Sequence, residues 1–249
     1  MDYDQTIPFY VHKFQEHPWR VFETEHYTFH VEVDSLAENE IESIKQTQEL
    51  AYTKIINTLK LSPPDKKIEY YFYSSRERKK ELMGDDWYGQ TIYNEFTVHA
   101  VYNEKDKVVG EHEDTHLLSL PLSLPISLFQ EGLAESMVGR SMFGHSHQEI
   151  IKAGLARGLK PEIVSLMSQE GWLETPDEEA EFYYSLAGSF ITYLLDIFGL
   201  GTFKKLYTAM ERGNTQVENL KIFESITEQS LENAETTWLN GLGINPESL

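Results

Sequence analysis

The sequence predicts an α+β fold in which strands come first and helices follow. Three runs alternate apolar and polar side chains, as half-buried strands do, and they occupy residues 26–33, 67–73 and 96–102. From about residue 106 onward, apolar residues recur at helical spacing instead. The 249 residues, of which 40% are hydrophobic, can bury the core of one large domain.

A long helix is predicted between the first two strands. Ser35 and Glu38 have the spacing of a capping box, in which the two side chains satisfy free amides at the start of a helix. Apolar residues then keep helical spacing until a Pro-Pro pair ends the segment. A short polar helix and a glycine-containing loop near residues 84–89 precede the third strand. These elements predict an α/β lobe, residues 20–120, with a small mixed or antiparallel sheet.

The second half of the chain is predicted to be helical throughout. No linker or shift in composition separates the halves, so we expect a single domain, residues 1–249, with a helical lobe at residues 121–249 and a cleft near residue 120. The predicted helices occupy residues 106–120, 127–141, 146–157, 161–169, 179–198, 201–211, 216–226 and 230–241.

Composition restricts the kinds of site and partner. The chain has no cysteine, so candidate metal ligands are His, Asp and Glu. Its formal charge of −20 argues against nucleic acid as a partner and against anionic membrane surfaces. The longest apolar stretches fall short of the roughly 20 residues of a spanning helix, so no membrane insertion is expected. The N-terminal stretch lacks the features of a secretory signal, which predicts a cytoplasmic protein.

The stretch HEDTH, residues 112–116, has the pattern of a metal site. If it is helical, His112 and His116 lie one turn apart on the same face, where both imidazoles can bind one ion. Glu113 then borders the open coordination position, where it can take a proton from water and pass it to a leaving amine. This arrangement predicts the chemistry of a metallopeptidase.

A carboxylate is needed as a third ligand, because no third histidine follows at short spacing. Glu131 and Glu135 follow His116 after 14 and 18 intervening residues, on a predicted second helix. Pro121 and Pro125 end the first helix and turn the chain, so that two helices can bring ligands to one ion. Spacing alone leaves both glutamates as candidates.

At this point the sequence resembles a known family. HEDTH followed by LPISLFQEGLAES is similar to the gluzincin zinc metallopeptidases, and more closely to the peptidase MA-like superfamily, whose second motif reads roughly Pro-x-Trp-Leu-x-Glu-Gly-Leu-Ala-Glu. Downstream, FYYSLAGSFITYLLDIFG and IFESITEQSLENAETTWLNGL resemble a tyrosine-containing helix and the closing helix of that family. The order of elements matches over residues 26–240, but only the zinc motifs are specific. Ser127 or Leu128 replaces the usual Trp.

The resemblance implies a zincin-like active-site helix between the lobes and one Zn²⁺ ion held by His112, His116 and Glu131. Glu135 would then accept the free imidazole N–H of a ligand histidine. Glu135 has the spacing from His116 that is found in the aminopeptidase branch of gluzincins, so the number of intervening residues favours Glu135. The Glu-Gly-Leu-Ala motif favours Glu131 instead. We choose Glu131, because connecting loops vary in length more readily than ligand geometry does.

The resemblance also implies a donor for the oxyanion of the reaction. Related enzymes use a Tyr or His from a later helix, and Tyr184 matches that segment. Tyr183 is the alternative, and adjacent helical residues point about 100° apart, so only one of the two can face the ion. Both tyrosines could instead be ordinary packing aromatics.

These patterns predict a zinc metallopeptidase acting on a peptide or protein substrate. Nothing in residues 94–110 resembles the Gly-x-Met-Glu-Asn segment of the aminopeptidase branch, which favours an endopeptidase. The alternative is a catalytically silent module of the same fold that binds metal and partner proteins. The presence of Glu113 argues against it, because a structural zinc needs a fourth ligand and no general base.

Three further expectations concern the surroundings of the site. In similar proteins the strand before the HExxH helix is an edge strand that binds extended peptide, which here is residues 96–102. By alternation, His99 on this strand is an outward-facing polar residue. His145 and His147 lie beside Gly144 and are expected in a solvated turn.

Overall fold

The computed structural model describes residues 11–141 and 144–246. The chain forms two compact units, the first ending at Leu118 and the second beginning at Ser119. The predicted α+β class is confirmed, since a five-stranded mixed sheet lies in the first unit and the described part of the second is helical apart from isolated bridges.

The sheet of the first unit has the strand order β1-β2-β3-β5-β4. The inner strands β2, β3 and β5 run parallel, and the outer strands β1 and β4 pair antiparallel with their neighbours. In the register, Phe29 lies beside Tyr70, which lies beside Val98. The elements of this part are α1 Val11–Glu16, β1 Trp19–Glu23, β2 Tyr27–Glu32, α2 Leu36–Asn39, α3 Ile41–Leu59, β3 Ile68–Tyr73, α4 Arg76–Met83, β4 Gly89–Ile92, β5 Thr97–Val101 and α5 Glu111–Ser119.

One face of the sheet forms the apolar core of the first unit. Alternate residues of the three inner strands point to this face, because successive side chains in a strand point to opposite sides. Helix α3 covers it, with the Tyr27 hydroxyl 3.0 Å from the carbonyl oxygen of Gln48. The fully buried side chains on this face are Tyr27, Phe29, Val31, Ile68, Tyr70, Phe72, Val98 and Ala100.

Two strands differ from the prediction. β1 lies in the irregular start that the sequence indicated, and its mostly exposed side chains give no apolar alternation. β4 lies in the predicted loop, because GQTI is short and begins with glycine. The expectation that residues 96–102 form an edge strand is wrong, since β5 pairs with both β3 and β4 and the edge belongs to β4.

Two predicted helices also have different bounds. Residues 106–110 are not helical, and α5 begins only after Gly110, whose φ of 101° favours glycine. Residues 161–168 form turns, and helix α8 begins at Gln169 behind Ser168, whose hydroxyl caps it. The buried apolar residues there, Ile163, Leu166 and Met167, belong to this turn segment and not to a helix.

The second unit is organised around the long helix α9. Its buried side chains pack against α6 and α7, and it joins two segments predicted as separate helices. Gly199, with φ 73° and ψ 163°, breaks the helical geometry at the predicted junction. The elements are α6 Ser127–Val138, α7 His147–Ala156, α8 Gln169–Leu173, a 3₁₀ turn Asp177–Glu179, α9 Ala180–Ala209, α10 Gln216–Thr227 and α11 Leu231–Gly241.

The segment Asp177–Ala209 is the one described helical stretch that is long and apolar enough to cross a membrane, with a mean hydropathy of 1.5. Length and composition alone do not distinguish a spanning helix from the core helix of a soluble protein. Here Phe182, Phe190 and Phe203 are buried within the second unit.

Candidate metal centre

Helix α5 carries the HEDTH stretch and is anchored at its start to α3. The Gly110 amide donates a hydrogen bond to the side-chain carbonyl of Gln48. Lys54 on α3 lies 2.7 Å from the Glu111 carboxylate. Inside the helix, the Thr115 hydroxyl donates to the carbonyl oxygen of Glu111 at 2.6 Å. The helix that carries both histidines is therefore held in place by contacts with α3, which is distant in the sequence.

The two histidines lie on the same face of α5, as their spacing predicts. Their ring centroids are 5.0 Å apart and the ring planes are nearly perpendicular, at 88°. His116 is buried. Perpendicular rings one turn apart can direct one nitrogen each toward a common point, which is the arrangement that a shared ion requires.

Asp114 points from α5 toward the sheet and α3. Its Oδ2 atom lies 2.5 Å from the Tyr27 hydroxyl and accepts a hydrogen bond from Gln48 Nε2 at 3.1 Å. Burial raises the pKa of Asp114 well above its ordinary value, and the nearby Glu113, Glu111 and Glu49 act in the same direction against the Tyr27 hydrogen bond. This buried network sets how α5 is rotated on the sheet.

Glu113 lies against the edge strand β4. The Thr91 hydroxyl donates a hydrogen bond to Glu113 Oε2 at 2.6 Å. A Cβ at Gly89 would overlap Glu113 Oε1 and lie 3.0 Å from its Cδ. Neither neighbour was predicted from the sequence, although a glycine inside a short strand is a known sign of close approach by another group.

The start of α6 is fixed by contacts within the second unit. Ile126 N donates to the carbonyl oxygen of Met210 at 2.8 Å, and Arg212 Nε donates to the carbonyl oxygen of Pro125 at 3.1 Å. Gln169 Oε1 accepts from the Ser127 amide at 3.0 Å, which caps the helix from another segment. As predicted, one helix ends before Pro121 and the next begins after Pro125, since α5 ends at Ser119 and α6 begins at Ser127.

Three of the predicted ligand residues form a group that could hold a metal ion. One potential ligand atom from each of His112, His116 and Glu131 lies within 4.8 Å of the other two. Zinc in proteins is bound by histidine nitrogens and carboxylate oxygens at about 2.0–2.2 Å. Two imidazoles and a carboxylate also form a donor set that suits zinc. The residues therefore fit such an ion.

Glu135 has a partner that the sequence analysis did not predict. Its Oε2 atom lies 3.0 Å from Nε2 of His147, and both side chains are buried, at 4% and 9% exposed. The expectation of a solvated turn is thus wrong for His147, which begins helix α7 behind Ser146. The expectation of a solvated position is confirmed for His145, whose side chain is 62% exposed. A contact of Glu135 with a ligand histidine stays a prediction.

Tyr183 and Tyr184 point to different surroundings. Tyr184 packs edge-on against Trp172, with ring centroids 5.4 Å apart. Tyr183 lines a polar cavity of about 660 Å³ in the second unit, beside Arg212. Burial raises the pKa of Tyr183, and Glu162 and Glu179 raise it further. The role of either tyrosine as an oxyanion donor stays a prediction.

His99 is buried, contrary to the expectation of an outward-facing polar residue. It points away from the apolar core, as alternation requires, but helix α4 covers that side of the sheet. Its Nδ1 atom lies 2.8 Å from the Tyr73 hydroxyl, and its ring stacks on Tyr71 at 5.0 Å. Burial and the nearby Lys79 lower the pKa of His99 well below its ordinary value. It is a packing residue of a second, mixed polar and aromatic layer.

His112, His116 and Glu131 thus form a group that could hold a metal ion, and Glu113 lies against Thr91 and Gly89. No protein-family model matches the chain, and no curated protein matches its sequence.

Proposed function

We propose that this protein is a zinc-dependent peptidase in which His112, His116 and Glu131 hold the ion. The observation that carries the proposal is the convergence of these three ligand atoms within 4.8 Å, with Glu113 next to a ligand on the same helix. A bound zinc supplies positive charge that polarises a peptide carbonyl and lowers the pKa of water.

In the proposed reaction Glu113 carries the proton. The residue is 9% exposed, and its carboxylate lies against β4 at the edge of the sheet. There it accepts a proton from the attacking water and delivers it to the leaving amine when the peptide bond breaks. Tyr184, or in its place Tyr183, would donate a hydrogen bond to the oxyanion.

The substrate in this proposal is an extended peptide paired with β4. This strand stands at the end of the sheet order, with β5 as its neighbour. An edge strand binds extended peptide through backbone hydrogen bonds, while the side chains of the peptide set specificity. Because Glu113 touches β4 through Thr91, a peptide on this strand would run past the general base. This favours cleavage inside a chain over removal of a terminal residue.

Metal content tests the ligand assignment. We expect the wild type to bind zinc stoichiometrically and Glu131→Ala to lose it, as measured by mass spectrometry of metals after dialysis. Glu224→Ala, a change at an exposed helical position of the same unit, is the matched control and should keep its zinc. Loss of zinc in Glu135→Gln with retention in Glu131→Ala would move the ligand to Glu135.

Cleavage of a peptide library tests the activity. Glu113→Gln keeps the shape of the side chain but cannot accept the proton, so it should retain zinc and lose at least about 100-fold in kcat. A wild type that binds zinc and cleaves no peptide would refute the peptidase and favour the silent binding module.

A further inference from the structure

The carboxylate of Glu113 is held at two points by one short strand. Gly89 and Thr91 are two residues apart on β4, so both face the same side of the sheet. The Thr91 hydroxyl lies 2.6 Å from Oε2, and the Cα of Gly89 leaves the space that Oε1 occupies. The neighbours Gln90 and Ile92 point to the opposite face.

This contact makes the two carboxylate oxygens different. A threonine hydroxyl has one hydrogen to donate, and a bond to a carboxylate is short and strong. The same hydroxyl is 3.4 Å from the main-chain oxygen of Glu113, so Oε2 is the closer acceptor. The β-branched side chain of Thr91 has few rotamers, which keeps the hydroxyl aimed at Oε2.

We propose that Thr91 is a positioning residue for the proton transfer by Glu113. It binds Oε2 and leaves Oε1 as the proton acceptor, and Gly89 is required because any side chain there would displace Oε1. The inference rests on the proposed peptidase function and deepens it, since the strand that binds the peptide also orients the general base. The bound peptide and the general base are then both positioned by β4.

Four variants test this inference in the full-length, zinc-loaded protein. Thr91→Val removes the hydroxyl at nearly constant shape, and Thr91→Ser restores it. Gly89→Ala removes the space for Oε1. Thr97→Val is the matched control, because Thr97 is a buried threonine on the adjacent strand β5 whose hydroxyl points to His99 on the opposite face. For each variant, kcat, KM and zinc content are measured with a peptide that the wild type cleaves.

We expect Thr91→Val and Gly89→Ala to lose about 10- to 100-fold in kcat with KM and zinc content nearly unchanged, because small misplacement of a reacting group costs about this much. Thr91→Ser should recover most of kcat, and Thr97→Val should match the wild type. A kcat of Thr91→Val within twofold of wild type, or a Thr91→Ser as slow as Thr91→Val, would overturn the inference.

Crystal structures of the metal-free variants provide a readout that does not depend on activity. The Glu113 carboxylate should rotate away from position 91 in Thr91→Val and stay at hydrogen-bond distance from it in Thr91→Ser. An unmoved carboxylate in Thr91→Val would also overturn the inference. Failure of the proposed function has a different signature, in which the wild type and Glu113→Gln are equally inert while the carboxylate still follows the residue at position 91.

Discussion

Gly132 on α6 lies so close to α9 that a Cβ on it would stand 2.8 Å from the carbonyl oxygen of Ala187 and 2.5 Å from Cγ1 of Ile191. This contact explains the glycine of the EGLAE stretch, which directly follows Glu131. We expect Gly132→Ala to lower the free energy of unfolding by about 1–3 kcal/mol, because the added methyl group forces two buried helices apart. Urea denaturation followed by circular dichroism measures the change.

Gly201 on α9 provides the control for this substitution. Apart from its chain neighbours and the backbone of its own helix, no atom of the described residues lies within 4 Å of a Cβ added there, and its φ is not positive. Gly201→Ala should leave stability unchanged or raise it by up to about 1 kcal/mol, because alanine is the better helix former. Equal losses in both variants would show that packing at Gly132 is not the cause.

The pair of Glu135 and His147 should stabilise the second unit. Glu135→Gln keeps the side-chain shape but weakens a buried interaction, and we expect a loss of about 1–3 kcal/mol in the free energy of unfolding. Zinc content should be retained in this variant, since the proposed ligand is Glu131. Urea denaturation and metal analysis of the same preparation check both results.

A double-mutant cycle isolates the interaction energy of this pair. Removing Glu135 and His147 singly and together should give a coupling of about 0.5–3 kcal/mol. His145 and Glu181, 3.2 Å apart but 62% and 33% exposed, form a matched pair whose coupling should be smaller. A coupling at the buried pair no larger than at the exposed pair would contradict the prediction.

Loss of the hydroxyl should lower the free energy of unfolding more at Tyr27 than at Tyr70, which lies on the neighbouring strand. Tyr27→Phe removes the partner of Asp114 and of the Gln48 carbonyl, so we expect a loss of about 1–3 kcal/mol in the free energy of unfolding. The Tyr70 hydroxyl is buried near Gln48 and makes no hydrogen bond of normal geometry with the residues that the structure describes. Tyr70→Phe should therefore cost less, and chemical denaturation of both variants tests the difference.

Acid stability should depend on Glu32. Burial alone would raise its pKa, but hydrogen bonds from Ser74 and Arg78 outweigh burial and lower it. A carboxyl group with a lowered pKa stabilises the fold above its unfolded pKa, and the contribution is lost as the pH falls through the lower folded value. The stability difference between wild type and Glu32→Gln should thus be constant near neutral pH and shrink below roughly pH 4.5.

Urea denaturation at a series of pH values measures this difference. Glu42→Gln is the control, because Glu42 pairs with Lys45 at the surface and its side chain is 82% exposed. Its effect should be small at every pH, since exposed ion pairs contribute little. A stability difference between wild type and Glu32→Gln that stays constant below roughly pH 4.5 would contradict the lowered pKa of Glu32.

The sequence by itself determined the local features of this protein. Alternation located the three inner strands, helical spacing located most helices, and the four-residue interval of HEDTH placed His112 and His116 on one face. Pro121 and Pro125 marked where α5 ends and α6 begins. These features depend on neighbours within a turn or two of the chain, so periodicity and turn chemistry record them.

Only the tertiary structure decided what lies beside those features. Thr91 meets Glu113 across 22 positions of sequence, and β4 becomes the edge strand because of the order in which strands pair. His147 and His99 look like solvent-facing polar residues until Glu135 and helix α4 bury them. Such contacts join residues that are distant in the chain, and a local pattern carries no record of them. The sequence therefore predicted the candidate residues of the site, whereas the neighbours that orient them depend on the tertiary structure.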